Sequence, residues 1–341
     1  MKKTSILLIY TGGTIGMIED FESKTLIPFD FEIIENLVPE LKKIEVNIET
    51  ISFETPIDSS DMDIISWKKM ATIVKDNYEN YDGFVILHGS DTMSYTASAL
   101  SFMLKGINKP VILTGSQLPI GTIRTDGKEN LITAIEIAAA KENGEPKVQE
   151  VCIYFENDLY RGNRTSKVNA EDFEAFNSFN YLPLAEAGVH IKYNKNKIHK
   201  RKKEAFEVFT ELEENVVILK LFPGITKEVV QAIFRIEGLK GVVMETYGSG
   251  NATTKKWFLD ELRIAIDKEI TIFNVTQCLA GSVIQGKYET SSAFNELGII
   301  SGKDITTEAA ITKMMYVLAK YKTKTQIKSK LATSLAGEMS K

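Results

Sequence analysis

Five short stretches of this 341-residue chain collect hydroxyls, carboxylates and glycines more densely than turns require. YTGGTIG, at 10–16, sets Gly12 and Gly13 between Thr11 and Thr14. HGSDT supplies Ser90, Asp91 and Thr92. TGSQ covers Thr114 to Gln117, DLYRGNRTSK ends at Lys167, and TPIDSSDMD groups Asp58, Ser59 and Ser60. Singly, each has a plain explanation. TGGT is a tight turn, DSSD a helix cap in which Asp61 or Ser60 caps the helix that follows, TGSQ a turn, and Lys167 a surface lysine. A phosphate cradle fits poorly, because Gly12, Gly13 and Gly16 do not make GxGxxG and no GK[ST] follows. There are three histidines. His88, before a glycine at a strand end, reads as structural, and His190 and His199 flank a polar break. A Ser-His-Asp triad therefore has few histidines to draw on, and no metal cluster or cofactor motif is visible. Hydroxyls, a carboxylate pair and a lysine remain, a set suited to nucleophilic attack on an amide or ester. Neighbouring glycines let backbone N–H groups approach a developing oxyanion. A lysine acts as base there only where burial or a positive field lowers its pKa, and Asp91 opposes that.

Such residues must be held by something rigid. Short apolar runs precede nearly every one of these loops: SILLIY into TGGT, GFVILHGSDT, PVILTGSQ and VCIYFEND, then VVILKLFPG, GVVMETYGSGN and ITIFNVTQCLAG. Near-continuous apolar runs of this length are strands buried on both faces, as in a parallel sheet. Helical faces lie between them: Tyr95, Ala99, Leu100, Met103 and Leu104; Val229, Ile233 and Ile236, with Gly238 as C-terminal cap; and Ile311, Met314, Met315 and Leu318. The alternation predicts an α/β fold with a mainly parallel sheet. In such sheets ligands bind beyond the carboxyl ends of the strands, where these loops lie.

The length exceeds one ordinary core, so two domains are expected. The basic, aperiodic KYNKNKIHKRKK, residues 192–203, reads as a solvated linker. The expected boundaries are a larger N-terminal α/β domain at 1–190, a linker at 191–212 and a smaller C-terminal α/β domain at 213–341. A net charge of −5 argues against nucleic acid or an anionic membrane as partner. Cys152 and Cys278 lie far apart and outside any CxxC, as in a reduced protein. Met1-Lys2-Lys3 before SILLIY has the look of a secretion signal, but the apolar run is too short and leads directly into TGGT. The expectation is a cytoplasmic protein with no membrane span.

At these residues the sequence resembles the bacterial-type L-asparaginases, most closely their type I cytoplasmic branch. YTGGTIGM resembles one family signature and DGFVILHGSDTMSYTASALSFML the other. TGSQLP, LYRGNRTSK, YGSGNA and TQCLAG follow in the family's order. The resemblance implies that Thr14 is the nucleophile attacking the side-chain amide of L-asparagine, that Ser90, Asp91 and Lys167 form a second catalytic group, and that no cofactor or metal is used. It implies that Asp58, Ser59, Ser60, Ser90, Asp91 and Ser116 hold the substrate. It also implies a homodimer or homotetramer in which Asn251 and Tyr288 reach a neighbour's site. Three departures stand out. Ser90 replaces a usual threonine and loses its β-branch. The loop after Thr14, GMIEDFESKTLIPF, has no tyrosine, for which Tyr288 is the candidate substitute. Glu245 stands where some type I enzymes place an effector-binding arginine. Cys278, in TQC, reads as a core residue. The rival readings are a glutamine-hydrolysing amidotransferase-type subunit, which usually carries an extra N-terminal domain for which TGGT at residue 11 leaves no room, and a non-catalytic amino-acid sensor, which would not need Thr14, Ser90 and Lys167 together.

Overall fold

The computed structural model describes residues 3–19, 26–28, 38–200, 204–286 and 289–341. Two compact units divide the chain, one up to Thr210 and the other from Glu211.

The first unit is built on an eight-stranded sheet. Its strands are β1 (Thr4–Tyr10), β2 (Val46–Ser52), β3 (Gly83–Leu87), β4 (Val111–Thr114), β5 (Val151–Phe155), β6 (Asp158–Arg161), β7 (Ala185–Glu186) and β8 (Lys192–Tyr193). Their order is β8-β7-β6-β5-β4-β3-β1-β2. β2, β1, β3, β4 and β5 run parallel, and β6 to β8 continue antiparallel. β1 has a parallel neighbour on each side, and Ile6 to Tyr10 are buried. That burial explains an apolar run without alternation. Ile6, Leu8 and Tyr10 share a core with Leu131, Ala134 and Ile135 of helix α3 (Gly127–Ala139). Leu7 and Ile9 face the other way along the strand. Helices α1 (Ile64–Asp76) and α2 (Met93–Met103) complete the parallel half. The chain leaves β1 for β2 on one side and returns to β3 on the other, so the sheet's topological switch lies between the carboxyl ends of β1 and β3. A crevice for ligands forms at such a switch.

The second unit has a four-stranded, wholly parallel sheet in sequential order: β9 (Val216–Lys220), β10 (Gly241–Thr246), β11 (Thr271–Thr276) and β12 (Ile300–Ser301). Helices α4 (Lys227–Phe234) and α5 (Lys256–Asp267) share one core with it through Val230, Phe234, Phe258 and Leu262. α7 (Thr307–Lys320) packs against β9, β10 and β11; α6 (Glu289–Leu297) lies before β12, and α8 (Lys324–Ala332) closes the helical set. Among the described residues no helix is long and apolar enough to cross a membrane.

The seven apolar runs are strands as expected, and the two-domain α/β architecture holds. Several details differ. Lys192–Tyr193, expected in the linker, is the outermost strand of the first sheet, and Glu207–Val208 pairs with Leu104–Lys105. Backbone bonds hold this polar stretch: the Lys197 carbonyl accepts from Arg161 Nη2 at 2.9 Å and from Tyr181 Oη at 2.8 Å. The buried face of α4 is Val230 and Phe234, while Val229 and Ile236 are exposed. α4 ends at Phe234 with Arg235 as its cap, and Gly238, at φ 77°, serves the following turn. Cys278 is exposed rather than core, because β11 ends at Thr276 and the chain turns outward, the Cys278 N–H donating to Thr276 Oγ1 at 3.0 Å.

Candidate active site

The loop leaving β1 is pinned at every step. The Thr11 N–H and hydroxyl both donate to the Leu87 carbonyl at the end of β3, at 3.1 and 2.9 Å, and the Ile57 N–H donates to the Thr11 carbonyl at 2.8 Å. Thr14–Gly16 is then one 3-10 turn, closed by Gly16 N–H to Gly13 carbonyl at 3.1 Å and by Tyr10 Oη to Gly16 carbonyl at 2.9 Å. These bonds separate the two threonines. The Thr11 hydroxyl is fully buried and spent, whereas Thr14 is half-buried and its hydroxyl has no bonded partner among the described residues. Of the pair, Thr14 is the hydroxyl free to react.

Two glycines bring three loops together. Gly13 sits at φ 88°, and a Cβ there would lie 2.6 Å from Gly89 Cα and 2.9 Å from the His88 carbonyl carbon. A Cβ on Gly89 would in turn lie 2.6 Å from Ser59 Oγ. Only glycine allows both the backbone angle and the approach. The loops carrying Thr14 and Ser90 thus touch through bare backbone, and Gly89 in turn lies against the Ser59 side chain. The Thr92 hydroxyl adds a bond to the Ser59 carbonyl at 2.7 Å.

Ser59 is buried, and Asp58 and Ser60 are exposed. Asp58 caps the short 3-10 turn Ser59–Asp61, accepting from Ser60 N–H and Ser60 Oγ, both at 2.8 Å. The Ser60 N–H, then its hydroxyl, hold the Asp58 carboxyl below its ordinary range, so it is ionised and suited to face an ammonium group. The cap of α1 is Asp63, accepting Ser66 N–H at 2.8 Å and Ser66 Oγ at 2.7 Å, rather than Asp61 or Ser60.

Ser90 and Asp91 meet Lys167 from 77 and 76 residues away along the chain. Lys167 Nζ lies 2.8 Å from Ser90 Oγ and 2.6 Å from Asp91 Oδ1. Lys167 belongs to the two-residue strand Ser166–Lys167, paired with Phe176–Asn177. Behind it, Arg161 forms a buried ion pair with Glu150, Nε to Oε2 at 2.5 Å. His88 is buried and takes no part: its Nδ1 lies 2.6 Å from the Gly89 carbonyl and its Nε2 2.9 Å from Thr96 Oγ1. A carbonyl only accepts, so Nδ1 carries the proton and Nε2 accepts from Thr96. Burial pushes its pKa down to about 4.

The remaining candidates divide. Ser116 is buried, and its hydroxyl donates to the Leu118 carbonyl of its own loop at 2.5 Å. Asn251 lies in the second unit, where its backbone pairs with Tyr247. Tyr288 lies outside the described residues. Glu245 is buried and takes the Thr307 hydroxyl at 2.6 Å and Lys220 Nζ at 3.3 Å. Sequence reasoning left two residues without a role. Gln117 reaches Ser90, Oε1 to Oγ at 3.3 Å, and Asp126 holds the Gln117 N–H at 2.9 Å. TGSQ was the one signal for the first, and nothing marked Asp126.

The arrangement thus offers a free hydroxyl beside glycine backbone, a serine–lysine–aspartate cluster, and a buried serine next to an ionised aspartate. Known proteins share the whole chain. The family model described as Asparaginase, N-terminal, matches residues 5–199, and that of the Glutaminase/Asparaginase C-terminal domain matches 215–331. L-asparaginase 1 of Escherichia coli (strain K12) is 41% identical over 99% of this chain and 99% of its own. The 60 kDa lysophospholipase of Homo sapiens is 40% identical over 98% of this chain and 61% of its own. The crystal structure of L-asparaginase I from Vibrio cholerae O1 biovar eltor str. N16961 superposes with a TM-score of 0.90 at 38% identity, covering 99% of this chain and 100% of that one. With both family models matched in order and relatives alike from end to end, the chain belongs to the type I L-asparaginase family of amidohydrolases.

Proposed function

We propose that this chain hydrolyses L-asparagine to L-aspartate and ammonia through a covalent intermediate on Thr14. The observation that carries the reading is the Thr14 hydroxyl, half-buried and unbonded among the described residues, one residue from the glycine that packs on Gly89. Thr14 Oγ adds to the carbonyl carbon of the side-chain amide. The C–N bond breaks, and the nitrogen leaves as ammonia with the proton the hydroxyl gave up. A water then adds to the resulting ester, one of its protons returns to the Thr14 oxygen, and L-aspartate is freed.

Ser90, Lys167 and Asp91, joined by the Lys167 ammonium, act in this reading as the second catalytic group. Asp58 and Asp91 suit the substrate's ammonium, and Ser59 and Ser60 its α-carboxylate, by charge and hydrogen-bonding type. The glycine backbone beside Thr14 suits the oxyanion. The family resemblance supports a cytoplasmic homodimer or homotetramer. The test is ammonia release from L-asparagine by the purified protein, run beside L-glutamine, with oligomer size read by light scattering. The two substrates differ by one methylene, a weak discriminator, so turnover of both with asparagine ahead is expected. No release from either amide by the folded protein would refute the reading.

A further inference from the structure

The Gln117 carboxamide reaches three groups. Its Nε2 donates to the carbonyls of Asp172 at 2.9 Å and Ala170 at 3.3 Å. Carbonyl oxygens only accept, so the NH2 end is fixed on that side, and Oε1 faces Ser90 Oγ at 3.3 Å. That oxygen also only accepts, so the Ser90 hydroxyl must donate to it. Lys167 Nζ donates into the same Ser90 oxygen at 2.8 Å. With its proton directed at Gln117 and one lone pair facing Lys167, Ser90 keeps a single lone pair for a reacting group.

Asp126 holds the Gln117 backbone in place. Its carboxylate takes the Gln117 N–H at 2.9 and 3.1 Å and the Leu118 N–H at 3.2 Å, and Asn130 Nδ2 bonds it at 3.2 Å. The amide is therefore fixed at both ends, by Asp126 at the main chain and by the two carbonyls beyond Lys167 at the side chain.

We propose that Gln117 is a positioning residue of the hydrolysis, which fixes the rotamer and proton direction of Ser90 so that Ser90 meets the reacting group as an acceptor. An unbranched serine has three staggered rotamers open to it, and neighbours must choose one. Gln117 supplies the choice that a β-branch would otherwise make. The inference rests on the functional reading above, in which Ser90 belongs to the catalytic group.

The test is Gln117→Met, which keeps the length and removes the amide. With asparagine, kcat falls about tenfold while KM moves less than about threefold, because no substrate contact is removed. Adding Ser90→Thr to that variant restores most of the lost kcat, since β-branching narrows the rotamers. A role confined to tethering the segment after Lys167 would not be mended by a methyl group on residue 90. A crystal structure of Gln117→Met gives a readout independent of turnover, with Ser90 Oγ spread over more than one rotamer. An unchanged kcat, a fall that Ser90→Thr leaves in place, or Ser90 held in one rotamer without Gln117 would overturn the proposal. If the unaltered protein releases no ammonia, the functional reading fails, and the Ser90 rotamers still decide this one.

Discussion

His88 makes the stability of this protein depend on pH in a calculable way. The ring is fully buried, donates from Nδ1 to the Gly89 carbonyl and accepts at Nε2 from Thr96, whose oxygen in turn accepts from Trp67 Nε1 at 2.9 Å. A second ring proton has no acceptor unless Thr96 gives up its own bond. Burial lowers the pKa from the ordinary 6.5 to about 4. The unfolded chain takes the proton below about 6.5 and the folded chain refuses it until about 4, so the stability is whole above the first value and drains as pH falls toward the second. The slope is about 1.4 kcal/mol per pH unit, or about 2 kcal/mol between pH 6.5 and 5. The comparison is with His88→Asn, whose amide stands near Nδ1 and does not titrate. The variant is less stable overall through lost packing, but only the change with pH is read. His190 and His199 and all carboxylates are common to both proteins and cancel. Urea unfolding at pH 5, 5.75, 6.5 and 7.5 should show the wild type losing its lead over the variant by about 2 kcal/mol from 6.5 to 5. A lead that stays flat over that range would refute the assignment of His88 as a buried neutral ring.

Thr14→Ala is expected to fold normally and to lose several orders of magnitude in ammonia release, measured at saturating asparagine. Near wild-type turnover would mean another hydroxyl attacks. Lys167→Met, which strips Ser90 and Asp91 of their shared partner, should lower kcat at least a hundredfold with the far-UV spectrum unchanged. In the second unit, Lys313 and Glu338 form a fully buried ion pair at 2.8 Å, with the lysine also on the Leu331 and Thr333 carbonyls. Glu338→Gln should cost about 3–5 kcal/mol in denaturant unfolding, and adding Lys313→Met should recover part of it, because the stranded charge is then gone.

Most strands were legible because burial on both faces writes itself as unbroken apolar runs, whereas β9, at a sheet edge, keeps its apolar run with Ile218 exposed. The loops of the candidate site were legible because hydroxyl-rich segments sit where those runs end, and the switch between β1 and β3 is where such loops meet. What escaped has physical reasons. α4 carries two apolar stripes one residue apart, Val229 with Ile233 and Val230 with Phe234, and periodicity alone does not choose between them. Ser60, Asp61 and Asp63 all carry a side chain able to cap, and the turn geometry gives α1 to Asp63. The polar 191–212 stretch looked like linker because its anchors are main-chain carbonyls such as that of Lys197. Gln117 escaped for the same reason: its Nε2 partners are the carbonyls of Ala170 and Asp172, and a carbonyl has no sequence signature.

The contact of Gly13 with Gly89 limits how this site can be inherited or rebuilt. Any substitution at either codon installs a side chain into the backbone of the other loop or the hydroxyl of Ser59. A graft from a homologue that brings only 10–16, or only 88–92, therefore inherits half of a fitted joint, and both must travel with 57–61. Directed evolution meets the same wall, since single steps at Gly12, Gly13 and Gly89 are all losses. Variation near the site therefore has to enter through residues beside the joint, whose side chains can change while the three backbones stay seated.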